Sequence, residues 1–111
     1  MPTTENLSIF KTLDVWSGHI TRAENDILEQ ARHHSGPLRN TAFNLGVSDA
    51  DAGYIISVPD GNEADTYAAH CVVIGCPNVA KLLQVAAAHD CWYIRIESDG
   101  PMYDDLPTFD W

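Results

Sequence analysis

Asp14, Ser17 and His19 place an acid, a hydroxyl and an imidazole within six residues. These are the side chains of an orienting carboxylate, a nucleophile and its base. Their closeness in sequence argues against that chemistry. A strand, a turn and a helix start do not bring three near neighbours onto one reacting atom, so His19 is expected to hydrogen-bond locally before a helix cap. Cys71, Cys76, His89 and Cys91, with His70 beside them, form a second group spaced C-x4-C-x12-H-x-C. A structural zinc site prefers tighter pairs such as C-x2-C at a turn. Here Cys71 sits in an apolar run and Cys91 opens a strand, so reduced core thiols are expected and no metal or cofactor is. Cys76 precedes Pro77 at an expected helix start, where the dipole favours a thiolate. No partner base follows from the spacing, and Cys76 is expected to be a small capping residue.

Charge is the strongest compositional signal. Sixteen acids face six Lys and Arg, giving a net charge of −10. Every phosphate contact needs a positive group, so direct nucleic-acid binding and anionic membranes are disfavoured. Attraction to a basic protein is favoured. From Asn40 to Ala80 there is no Lys or Arg, while Asp49, Asp51, Asp60, Glu63 and Asp65 are present. Asp99, Asp104, Asp105 and Asp110 form a second cluster in a tail that also carries Tyr103, Phe109 and Trp111. Asp49 and Asp51 would stand about 6.6 Å apart on extended chain, near the repeat of backbone phosphates. The bland alternative is an ordinary solvated acidic surface. The tail acids fit no Ca²⁺ loop. Leu106, Phe109 and Trp111 are too apolar to leave in water, so the tail is expected to fold back with Asp104, Asp105 and Asp110 outward. Alternatively Phe109 and Trp111 are binding anchors.

These residues need a scaffold, and 111 residues suit one domain over 12–111, with 1–11 as a mobile arm. The N-terminus lacks the pattern of a signal peptide, no run approaches a membrane span, and the odd cysteine count suits a reducing cytoplasm. Thr12–Trp16 reads as a strand. Thr21 and Glu24 fit a capping box ahead of Ile20, Ala23, Ile27, Leu28 and Ala31, with Glu24 assigned to the outer face. Ser35-Gly36-Pro37 stops this helix, and His33-His34 suit its end. Thr41 to Val47 and Tyr54 to Val58 alternate as a hairpin across Ser48–Gly53. Asp60–Tyr67 reads as a loop or frayed turn, and His70–Ile74 as an extra extended segment. Pro77 opens a helix buried through Val79, Leu82, Leu83 and Ala86, and Trp92, Ile94 and Ile96 mark a last strand. The order β-α-β-β-(β)-α-β predicts an α+β two-layer sandwich, with two helices on one face of a mostly antiparallel sheet. The ferredoxin-like split βαβ is its simplest topology.

Two stretches carry a resemblance. Asp14-Val15-Trp16-Ser17-Gly18-His19-Ile20-Thr21 opens the domain, and Asp104-Asp105-Leu106-Pro107-Thr108-Phe109-Asp110-Trp111 closes it, preceded by Trp92 and Asp99-Gly100. The pairing resembles a domain-of-unknown-function family of small proteins carried on bacterial plasmids and integrative conjugative elements. The middle, roughly residues 38 to 78, departs from that pattern and looks expanded. The resemblance implies a setting on mobile DNA and no activity. Charge and setting together lead to the expectation of a non-enzymatic inhibitor of a host nucleic-acid-directed defence protein, of anti-CRISPR or anti-restriction type. It would bind a basic groove through Asp49, Asp51, Asp60, Glu63, Asp65, Asp104, Asp105, Asp110 and Trp111. The alternatives are a small enzyme or ligand-binding domain with a cleft near His19, Asp99 and the tail, and a homodimeric accessory protein paired through an exposed strand.

Overall fold

The computed structural model describes residues 11–39, 45–50 and 53–111. The arm expected over 1–11 lies, apart from Lys11, outside the described residues, as do Thr41–Asn44 of the expected second strand and Asp51. Four strands are described: β1 (Thr12–Trp16), β2 (Val47–Ala50), β3 (Gly53–Ser57) and β4 (Tyr93–Glu97). Three α-helices join them: α1 (Arg22–Arg32), α2 (Gly61–Val73) and α3 (Pro77–Ala88). The sheet order is β1-β4-β3-β2, with β1 parallel to β4 and the other two pairings antiparallel. The fold is the two-layer α+β arrangement with a mostly antiparallel sheet.

Two expectations need correction. His70–Ile74 is not extended: residues 70–73 close α2, and the supposed loop at 60–67 holds its start. The stripe that buries α2 is Ala64, Ala68 and Cys71, at helical spacing. These residues are small, so the stripe is quiet in a hydropathy reading. The conspicuous Val72 and Val73 are 56% and 83% exposed. Gly75, at φ +93, ends the helix. Cys76 N–H donates to the Cys71 carbonyl and Gly75 N–H to that of Val72, the paired bonds of a Schellman ending.

The second correction follows from the first. One helix between two strands returns the chain to its starting end and makes the strands parallel. The α2–α3 pair returns it twice, so β4 enters antiparallel to β3 and lies between β3 and β1. The ferredoxin-like order is therefore replaced by β1-β4-β3-β2. The β2–β3 hairpin is present, and its first strand includes Ser48–Ala50, which were expected to turn.

Cross-strand register fixes the buried face. Leu13 and Val15 stand opposite Ile94 and Ile96, which stand opposite Ile56 and Tyr54, and Ile56 faces Val47. These side chains join Leu28, Ala31, Cys71, Val79, Leu82, Leu83 and Ala86 in one core. The other face carries Asp14, Arg95 and Glu97, joined as ion pairs on Arg95.

Candidate binding surface and the clasp beside it

The opening and closing stretches form one contact. After β1, Ser17–His19 make a single 3-10 turn that aims the His19 ring inward, where it is 2% exposed. Tyr103 N–H donates to His19 Nε2 at 2.8 Å, and His19 Nδ1 lies 2.8 Å from the Pro107 carbonyl. An amide can only donate and a carbonyl can only accept, so these partners define the neutral imidazole with its proton on Nδ1. Around the ring, Phe109 N–H donates to Gly18 O, Trp111 Nε1–H to Ile20 O, and the Tyr103 hydroxyl to Asp14 O. Trp16 meets the imidazole edge-on, with ring centroids 5.8 Å apart. Trp16 N–H donates to the Pro101 carbonyl, which lays the tail along the β1 edge. Gly100 permits that approach, because a Cβ there would stand 2.4 Å from the Val15 carbonyl oxygen.

The clasp leaves no acid–serine–histidine set. The Asp14 carboxylate accepts from Arg95 Nε at 2.9 Å, and both His19 nitrogens are engaged by backbone. Asp99 is exposed on the turn after β4. A cleft reaction through His19 and Asp99 thus has no free imidazole nitrogen to use. The tail does pack, with Asp104, Asp105 and Asp110 exposed and Leu106 and Phe109 half-buried. Trp111 is 52% exposed.

Glu24 is a residue that sequence reasoning placed on the wrong face: it is fully buried. Its Oε1 accepts from Thr21 N–H, the Thr21 hydroxyl and Asn78 Nδ2. Its Oε2 accepts from the Asn78 and Val79 amides at 2.9 and 3.0 Å. One carboxylate therefore satisfies the exposed amides of two helix starts, α1 and α3. The available signal was its place four before Leu28 and seven before Ala31, on the buried stripe.

Cys71 and Cys76 are fully buried, and Cys91 is half-buried. Burial, with the Glu24 charge added, pushes the Cys71 thiol up to about 11 and the Cys76 thiol to about 12. The helix-start activation weighed for Cys76 is thus outweighed by desolvation. In the native chain at pH 8, a thiol reagent should label Cys91 and leave Cys71 and Cys76 unmodified until the chain unfolds. Mass mapping of labelled peptides checks this. The thiols also predict a pH dependence. An unfolded thiol ionises near 9.0, while the folded ones hold their protons to about 11 and 12. Their stabilising contribution is complete below pH 9 and falls as pH rises through that window. Among the described residues, no three or more His, Cys, Asp or Glu converge as metal ligands.

Some surface acids are paired with arginine and others are not. Arg32 pairs with Glu29 and, at 2.9 Å, with Asp49. Arg32 and the Tyr54 hydroxyl hold the Glu29 carboxyl down to about 2, while burial and Glu29 push the Tyr54 phenol up to about 12. Asp49 thus shares the Arg32 guanidinium with Glu29, while its side chain stays 70% exposed. By contrast, Asp60, Glu63 and Asp65 at the start of α2, and Asp104, Asp105 and Asp110 on the tail, are exposed. Among the described residues, no ion pair reaches any of these six, nor the exposed Asp26, Asp90 and Asp99.

The model of the C-terminal domain of DUF5983, a family of unknown function, matches residues 12–111, and the chain belongs to that family. No curated protein and no solved structure matches the chain. No described helix is long and apolar enough to cross a membrane.

Proposed function

We propose that this member of the DUF5983 family is a non-enzymatic binding domain that docks on a basic protein surface, one built to hold nucleic acid. The observation that carries the reading is the exposure, without an ion pair among the described residues, of three acids at the start of α2 and three on the tail. Arg32 and Arg95 are taken up by Asp14, Glu29, Asp49 and Glu97. Six exposed carboxylates on α2 and the tail are left without a cation among the described residues. Carboxylates of this kind meet Arg and Lys as phosphates do, and they steer association over distance. The mobile-DNA setting implied by the resemblance narrows the partner to a host nucleic-acid-directed defence protein, which the domain would inhibit by occupying its groove.

The test is affinity purification from host lysate with the full chain as bait, followed by titration of the basic protein recovered. Asp60→Asn with Glu63→Gln and Asp65→Asn, combined with Asp104→Asn, Asp105→Asn and Asp110→Asn, should weaken binding on the order of a hundredfold at low salt. High salt should weaken the wild type in the same direction. Binding that neither salt nor the substitutions change removes the proposal.

A further inference from the structure

The tail and the end of α3 border an open cleft of about 300 Å³ lined by Leu13, Val85, His89, Tyr103, Asp105 and Leu106. That is the lower limit for small-molecule pockets and suits one long side chain. We propose that this cleft receives an arginine side chain of the basic partner, an inference that rests on the acidic-surface reading above and gives it an anchor point.

The walls and rim select this occupant. Leu13, Val85 and Leu106 offer apolar surface to an aliphatic stem, and Tyr103 offers a ring against which a planar guanidinium packs. The Tyr103 hydroxyl is engaged by the Asp14 carbonyl, so the ring is held in place. Asp105 supplies an exposed carboxylate, and among the described residues no cation pairs with it. Lys11 reaches the same end of α3, where its ammonium donates to the His89 carbonyl at 2.6 Å. A neutral apolar side chain would fill the walls and leave Asp105 unanswered. A lysine would meet the charge without the planar stacking. The tail builds the cleft by the same fold-back that the clasp secures, so a surface acid becomes part of a concave site.

The test is a titration of the full chain with N-acetyl-arginine methylamide, followed by NMR at the methyl groups of Leu13, Val85 and Leu106 and at the Tyr103 ring. The expected result is saturable shifts at these four residues, with a dissociation constant on the order of millimolar. The isosteric neutral probe N-acetyl-citrulline methylamide should bind about tenfold more weakly, and Asp105→Asn should erase that difference. Val85→Phe, which fills the cleft, should abolish the shifts while the amide spectrum stays folded. Equal binding of the two probes, or arginine shifts confined to α2, overturns the inference. If the cleft is silent while salt-sensitive capture of a basic protein persists, only this inference fails. If the cleft responds while capture is indifferent to the carboxylates, the surface reading fails instead.

Discussion

Glu24→Ala lowers the unfolding free energy by about 4 kcal/mol, among the largest losses expected of any single side chain in this fold. The carboxylate sits in no solvent and accepts from Thr21, Asn78 and Val79, so its removal strands amides at the starts of both α1 and α3. A chain of this size loses roughly 15 °C in melting temperature for such a change. Glu24→Gln is the instructive companion. Its volume is the same, but one carboxamide end turns donors towards amide donors, so about half the effect remains. Urea denaturation of the two variants checks both values. A loss below 1 kcal/mol for the alanine variant would mean that the two helix starts find water instead, and the shared cap would not be a determinant of the fold.

Glu24 also shows where the sequence could and could not be read. The capping box was legible, because Thr21 and Glu24 stand at a spacing that one helical turn closes. The second duty of the same carboxylate was not, because it depends on α3 arriving more than fifty positions later in the chain. α3 itself was legible from Pro77 and the Val79, Leu82, Leu83 and Ala86 stripe. α2 was not, because alanines and a cysteine define its buried side while valines show on its outside. That one misreading propagated into topology, since the number of helices between β3 and β4 decides their relative direction. The acids were easily counted, but their state was not. Asp49 and Asp60 look alike in sequence, and only the approach of Arg32 from α1 gives the first an ion-pair partner.

The resemblance at the two ends of the chain acquires a physical content from the clasp. His19, Gly18 and Ile20 from the opening stretch meet Pro107, Phe109 and Trp111 from the closing one. Residue types such as a histidine, a turn with a glycine and a terminal tryptophan invite a chemical reading. Here their polar groups are directed to backbone and to each other, which is the economy of a structural joint. Under the proposed function, recognition falls to the groups the joint turns outward.

Deleting residues 104–111 is therefore expected to cost about 3–5 kcal/mol and to lower the melting temperature by roughly 15 °C. Leu106, Phe109 and Trp111 each bury part of a large apolar side chain, worth on the order of 1 kcal/mol apiece when half-covered. The deletion also removes the Pro107 carbonyl from the buried His19 ring and leaves its Nδ1–H without an acceptor. Charge is separable from packing in the same segment. Asp104→Asn with Asp105→Asn and Asp110→Asn keeps every clasp contact, because all three side chains face outward. That triple variant should melt within a degree or two of the wild type, or slightly above it, since it relieves repulsion in a chain of net charge −10. It should still lose affinity for a basic partner. The two variants thus pull apart the tail's roles: truncation removes the joint, and neutralisation removes the surface that the joint presents. A truncated chain that melts like the wild type would make the tail a docking peptide, and the contacts of His19 incidental to stability.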